Sequence, residues 1–179
     1  MSLRIGVDLG GTKTEAVLMA ADSRILARER LATPQEDYAG QVATVATLVQ
    51  RFMHLAGQTG ITVGIGHPGA TIPATGRIKN ANSQCLNGQP LQADLEAAIG
   101  QRIRMANDAD CLAVSEAADG AAAGAQSVFA VILGTGVGGG PVINGQLLPG
   151  PNGIASEWGH IPLPCPGSDW GELACRMQW

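Results

Sequence analysis

Two glycine turns and one carboxylate are the residues of this sequence best suited to chemistry. The first turn is Asp8-Leu9-Gly10-Gly11-Thr12-Lys13. Phosphate oxygens need several backbone N–H groups aimed at one point, and glycines let the backbone approach closely and adopt positive φ. Thr12 adds a hydroxyl donor, Lys13 a point charge, and Asp8 a carboxylate able to hold Mg²⁺ through water. The only other lysine is Lys79, so a lysine in this turn is selective. Taken alone, the segment reads more readily as a plain hairpin turn with a cap-like Thr12. The second turn, Leu133-Gly134-Thr135-Gly136-Val137-Gly138-Gly139-Gly140, repeats the device between two further strands. A pair of such turns facing each other across a cleft can enclose a triphosphate. The residues expected at the nucleotide are Gly6, Asp8, Gly10, Gly11, Thr12, Lys13, Gly134, Thr135, Gly136 and Gly138.

The carboxylate lies in Asn107-Asp108-Ala109-Asp110, at the end of an apolar strand and the start of a helix. Phosphoryl transfer asks for a group that accepts the proton of the attacking hydroxyl, and Asp108 is placed to be that base. Its simpler alternative is an N-cap, which the flanking turns argue against. Glu157-Trp158-Gly159-His160 offers an acceptor and a mixed donor–acceptor suited to adjacent sugar hydroxyls. His160 also reads as a metal ligand or a surface histidine. His54 is expected on an exposed helical face, and His67 carries no assignment.

Other glycine motifs are decoys. Gly64-Ile-Gly66-His67-Pro68-Gly69 and Gly134-Thr135-Gly136-Val137-Gly138-Gly139 both match GxGxxG. A dinucleotide fingerprint needs a helix directly after the glycines, whereas Pro68 interrupts one match and Pro141 follows the other. No GxxxxGK[ST] occurs, which excludes a P-loop.

The elements that must position these residues follow from periodicity. Arg4–Leu9 and Thr14–Ala20 read as strands joined by the first turn, with a third strand over Arg24–Ala32. Apolar residues at helical spacing mark a helix over Gln41–Leu55, and Ile61–Ile65 reads as a buried strand. The segment from Gly66 to Pro90 is irregular; a helix over Leu91–Ile99, a strand over Ile103–Ala106 and a helix from Asp108 to about Ala118 follow. Gly120–Gly124 is a small-residue hinge, which puts a domain boundary at 119/120. A second strand–turn–strand unit opens at Ser127, an internal echo of the first.

The 179 residues are 45% hydrophobic and 15% charged, with a net charge of −4, so a core is available and clustered cations for nucleic acid are not. No apolar run is long enough to span a bilayer, and Met1-Ser2-Leu3-Arg4 lacks signal-peptide anatomy, so a cytoplasmic protein without membrane partners is expected. Cys85, Cys111, Cys165 and Cys175 form no CxxC pair, and Cys85 and Cys111 read as buried or half-buried hydrophobes.

Taken together these segments resemble the ROK family of sugar kinases, most closely its bacterial fructokinase (mannofructokinase) branch. The resemblance runs through Asp8–Lys13, Gly64–Gly69, Gly76-Arg77-Ile78-Lys79-Asn80-Ala81-Asn82-Ser83 and Leu86-Asn87-Gly88-Gln89-Pro90. It continues through Asn107–Glu116, Gly120–Ala125, Gly134–Gly136 and Glu157–Pro164. It implies an actin-like (ribonuclease H-like) α/β fold, with a first domain over 1–119 and the beginning of a second over 120–179. It also implies ATP and Mg²⁺ as cofactors and a hexose as substrate, fructose first. Asp108 is then the base, Asn107, Glu157 and His160 contact the sugar, and Gly66, Pro68 and Gly69 lie nearby.

The longer members of the family carry a cysteine-rich segment that binds structural Zn²⁺ together with the histidine equivalent to His160. Here His160 and Cys175 supply at most two of the four ligands such a site needs, so stable Zn²⁺ binding is not expected. The chain reads as truncated within the second domain, which leaves an apolar edge expected to drive homodimerisation or other self-association. Ser156 replaces a glycine usual before the glutamate. Glucose, mannose or an N-acetylhexosamine are alternative substrates. A binding remnant without turnover and a sugar-sensing regulator lacking its DNA-binding segment are the non-enzyme alternatives.

Overall fold

A computed structural model describes residues 3–58, 60–133, 137–150 and 155. The chain divides into two compact units, Met1–Asp108 and Ala109–Trp179. The first unit opens with strands β1 (Arg4–Leu9), β2 (Lys13–Met19) and β3 (Ile25–Ala32), followed by helix α1 (Tyr38–Ala56). Strand β4 (Thr62–His67), the short strands β5 (Ala70–Thr71) and β6 (Ile78–Lys79), helix α2 (Leu91–Ile99) and strand β7 (Arg104–Asn107) complete it.

Five of these strands form one sheet in the order β3-β2-β1-β4-β7. Strand β2 is antiparallel to both β1 and β3, while β4 is parallel to β1 and β7 to β4. Strands β1, β3, β4 and β7 therefore all end at the same edge of the sheet. Open α/β sheets bind ligands outside the carboxyl ends of their strands, so this edge is where a site is expected.

Local sequence explains the supporting elements. Ile5, Val7 and Leu9 alternate inward from β1 and are buried. Helix α1 begins earlier than the periodicity alone suggests because Asp37 caps it, accepting from the Gly40 N–H at 2.9 Å. It packs Val45, Leu48, Val49 and Phe52 into the core and ends at Gly57, φ +64°. In α2, Leu91, Leu95 and Ile99 share one helical face and are all buried. The Tyr38 hydroxyl donates to Asp94, tying α1 to α2. Strand β3 is the sheet edge and is covered by charge, with Arg28 and Arg30 on Glu15 and Arg51 on Glu29.

Helix α3 (Asp108–Ala118) opens with the candidate base itself. Strands β8 (Ser127–Leu133), β9 (Val137–Ile143) and β10 (Gln146–Leu147) form an antiparallel sheet ordered β10-β9-β8. It is a second three-stranded antiparallel opening of the β1–β2–β3 kind. A Cβ on Gly140 would lie 2.7 Å from both the Ala109 carbonyl oxygen and the Ala113 methyl, so a glycine there lets α3 lie on β9. That packing draws the compact division at Asp108/Ala109, ahead of the 119/120 boundary expected from the hinge. Cys85 is half-buried as expected, but Cys111 is exposed, a correction that follows from its outward place on α3. No helix among the described residues is long and apolar enough to cross a membrane.

Candidate active site

The site is built where the strand ends meet. Three rows of the parallel strands run side by side: Asp8 pairs with Gly66, Gly66 with Ala106, and His67 with Asn107. Beyond them lie the Gly10–Lys13 turn, the Pro68–Gly69 loop and Asp108.

The turn closes on itself through a hydrogen bond from the Gly10 N–H to the Lys13 carbonyl, at 3.1 Å. A Cβ on Gly10 would stand 2.7 Å from that same oxygen, so the turn requires glycine there. Gly11, Thr12 and Lys13 are exposed. Among the described residues neither Gly11 nor Thr12 commits its N–H to a hydrogen bond, which leaves two backbone donors for an anion. Ser83 brings its hydroxyl to within 3.5 Å of where a Gly11 Cβ would be, so the 80–83 segment borders the turn.

Asp8 is exposed by surface area, yet protein packed around its carboxyl raises its pKa by desolvation. The Asp108 and Glu15 charges raise it further, against the pull of Lys13. Asp8 and Asp108 are thus electrostatically coupled. Asp8 and Asp108 offer carboxylate oxygens at the same strand ends, the hard donors that Mg²⁺ takes, and Mg²⁺ fits them on that ground. Among the described residues no three His, Cys, Asp or Glu side chains form a metal cluster.

The loop beside Asp108 is held from two sides. The Asn107 side-chain amide donates to the Gly69 carbonyl at 2.8 Å. Gly69 has φ +74°, and a Cβ there would collide with Lys79 and come 2.7 Å from the Ala81 nitrogen. His67, 1% exposed, places Nδ1 3.0 Å from the Pro68 carbonyl and Nε2 3.4 Å from the Thr71 hydroxyl. A carbonyl only accepts, so Nδ1 carries the proton and Nε2 is left to accept from Thr71. Burial lowers the His67 pKa, opposed by the Pro68 carbonyl and the Asp108 charge, so the neutral ring is favoured.

The structure brings Asp8, Gly10, Gly11, Thr12, Lys13, Gly66, Pro68, Gly69, Asn107 and Asp108 to one sheet edge. Gly6 lies apart from the turn, in mid-β1 beneath the Val17 and Met19 side chains. Gly138 lies on β9, 3.4 Å from the Ala109 methyl when given a Cβ. Gly134, Thr135, Gly136, Ser156, Glu157, His160, Cys165 and Cys175 lie outside the described residues. His67 and Ser83 were not singled out from sequence. His67 could have been read as the residue that ends a buried strand beside the loop glycines.

The ROK family profile matches residues 4–176. The chain belongs to the ROK family. This ROK chain is 43% identical over 159 residues to an N-acetyl-D-glucosamine kinase of Vibrio cholerae, covering 89% of this chain and 52% of that protein. An N-acetyl-D-glucosamine kinase of Erwinia tasmaniensis is 41% identical, with 89% and 52% covered. The chain spans about half the length of the curated relatives it matches. Among solved structures, a ROK family glucokinase from Streptomyces griseus, in complex with glucose and AMPPNP, superposes with a TM-score of 0.82 at 34% identity. That match covers 93% of this chain and 53% of the glucokinase. The ROK hexokinase of Thermus thermophilus superposes with a TM-score of 0.78 at 34% identity, covering 92% of this chain and 54% of the hexokinase. The fold is thus the actin-like α/β fold of ROK kinases. Two of these four proteins are N-acetyl-D-glucosamine kinases, one is a glucokinase and one a hexokinase, whereas the resemblance of the sequence motifs implied fructose first.

Proposed function

We propose that this chain carries the phosphate-binding and proton-accepting part of an ATP-dependent sugar kinase that phosphorylates a hexose hydroxyl. The observation that carries this reading is the meeting of the Gly10–Lys13 turn, Asp8 and Asp108 at one sheet edge, with the two carboxylates electrostatically coupled. In this reading Asp108 takes the proton of the attacking hydroxyl, the sugar oxygen bonds to the γ-phosphorus, and ADP leaves with the electron pair of the broken P–O bond. The Gly11 and Thr12 N–H groups and the Lys13 ammonium receive phosphate oxygens. Asp8, with Asp108, would hold Mg²⁺, largely through water. When bound, that ion supplies neutralisation of the phosphate charge. Asn107 fixes the Pro68–Gly69 loop against the strand end, and Gly66 borders the sugar from β4. Glu157 and His160 as further sugar contacts, and Gly134–Gly136 with Gly138 as further phosphate contacts, belong to the same proposal.

The hexose has two readings. The resemblance of the sequence motifs as a set to the fructokinase branch supports fructose, giving fructose 6-phosphate. The N-acetyl-D-glucosamine kinase relatives at 43% and 41% identity support N-acetyl-D-glucosamine. Sugar-dependent release of ADP, measured with fructose, glucose, mannose and N-acetyl-D-glucosamine, decides between them. It is run on this chain and on one extended through a full second domain. Asp108→Asn should lower turnover on the preferred sugar by about 10²–10⁴-fold. Turnover that survives Asp108→Asn overturns Asp108 as the base, and no sugar-dependent ADP release from either chain overturns the kinase reading. Calorimetry with ATP and each sugar then identifies a binding remnant.

A further inference from the structure

The Gly10–Lys13 turn is gripped from behind by buried residues. Thr33, 5% exposed, follows the end of β3 at the same sheet edge, and Thr14, fully buried, begins the inward face of β2. The Thr33 hydroxyl donates to the Gly10 carbonyl at 2.8 Å. A threonine hydroxyl has one proton, and that bond uses it. In the 2.8 Å contact between Thr14 Oγ1 and Thr33 Oγ1, Thr14 must therefore be the donor. A third tie runs from the Thr33 N–H to the Thr12 carbonyl at 3.1 Å.

These bonds sort the polar groups of the turn by direction. The carbonyls of Gly10, Thr12 and Lys13 are all engaged by protein donors, Lys13 through the Gly10 N–H. The N–H groups of Gly11 and Thr12 are the ones left over among the described residues. Engaging these three carbonyls turns their negative ends away from an incoming anion and leaves the two N–H groups for it, with no rearrangement needed on binding.

We propose that Thr14 and Thr33 form a buried, one-directional hydroxyl relay that fixes the Gly10–Lys13 turn in its anion-accepting shape. Both are positioning residues for the triphosphate, acting through the turn, and the inference rests on reading that turn as a phosphate site. Valine is nearly isosteric with threonine, so Thr33→Val removes the donor while keeping the packing, and Thr33→Ser restores the donor.

The test is calorimetric titration of the chain with Mg·ATP, beside amide hydrogen exchange at Gly11 and Thr12 by NMR. Thr33→Val should weaken ATP at least tenfold and speed exchange at both amides by a similar factor. Thr33→Ser should stay within about threefold of the unsubstituted chain in both readings. Thr14→Val should follow Thr33→Val in direction, and the double variant should lose no more than the worse single one, because the hydroxyls act in series. If Thr33→Val does not fold, Thr14→Val carries the same comparison. ATP affinity and exchange both unchanged in the valine variants overturn the relay and leave the phosphate reading standing. If the unsubstituted chain binds no ATP, the phosphate reading falls and with it the claim of triphosphate positioning. Faster exchange in Thr33→Val then supports the relay as a clamp of the turn alone.

Discussion

Burial and the Asp108 charge hold the Asp8 carboxyl above its ordinary pKa, so its ionised form at neutral pH is disfavoured by the fold. A raised carboxylate contributes stability below its unfolded value and loses it as pH rises through the folded one. Asp8→Asn should therefore raise Tm at pH 7, by on the order of a degree because solvent screens a half-open carboxylate. On the proposed kinase reading the same variant should also abolish ATP-dependent turnover, and a fall in Tm would refute the repulsion. His67 has the opposite linkage. Its folded pKa lies below the ordinary 6.5, so the unfolded chain binds the proton more readily in the window just beneath that value. Stability is then fully present above about pH 6.5 and is lost as pH falls toward the depressed folded value. The groups recorded against the ring are the Asp108 carboxylate, the Pro68 carbonyl and the Thr71 hydroxyl, and the first two soften this loss without reversing it. Urea unfolding between pH 7.5 and 5 should show a decline with a ceiling of about 1.4 kcal/mol per pH unit for one proton. His67→Gln should flatten that decline, and an unchanged slope in the variant would count against His67 as its source.

At the scale of elements, the glycines separate into those that a turn needs and those that a neighbour needs. Gly100 closes α2 with φ +83°, and nothing lies within 4 Å of where its Cβ would be. Gly69 has φ +74° as well, but its Cβ would collide with the backbone of Lys79 and crowd that of Ala81. Gly100→Ala should cost about 1 kcal/mol, the price of a left-handed backbone alone. Gly69→Ala should cost about 3 kcal/mol or more, since backbone must move and the Asn107–Gly69 bond goes with it. Chemical denaturation of the two variants measures the difference, and equal losses would mean that the loop has room to give. The same contrast shows what a sequence carries. Helix α2 was legible to the residue because Leu91, Leu95 and Ile99 recur on one face and Gly100 ends it. The β1–turn–β2 unit was legible from Gly10-Gly11 between apolar runs. The β5–β6 pair was not, because two-residue strands have no periodicity and are fixed by partners across the loop. His67 and Thr33 escaped for a related reason. The role of His67 comes from lying beside Asn107, and that of Thr33 from reaching Gly10, both pairings distant in sequence. The outward place of Cys111 depends on which face of α3 meets β9, which composition does not encode.

For the molecule as a whole, the two units bury very different cores. The first packs α1 and α2 on its five-stranded sheet around a large cluster that includes Ile5, Leu9, Leu48, Val49, Ile65, Leu91 and Leu95. In the second, the buried cluster among the described residues is Ala113, Ala130 and Val142. Strand β8 alternates, so the residues flanking Ala130 point to the opposite face of its sheet. There Phe129, Val131 and Leu133 stand 52%, 43% and 75% exposed in a single row. An apolar row of this kind, on a sheet whose other face holds the core, favours contact with a second apolar surface, and a second copy of the chain supplies an identical one. The chain should therefore self-associate, with a weight-average sedimentation coefficient that climbs with concentration. Val131→Lys combined with Leu133→Lys changes only exposed positions of β8, so far-UV circular dichroism should stay the same while the climb is abolished or moved to at least tenfold higher concentration. If the double variant associates as the unsubstituted chain does, the contact lies elsewhere. The charged pairs along β3 then become the surface to test, since added salt weakens association through ion pairs and strengthens association through an apolar face.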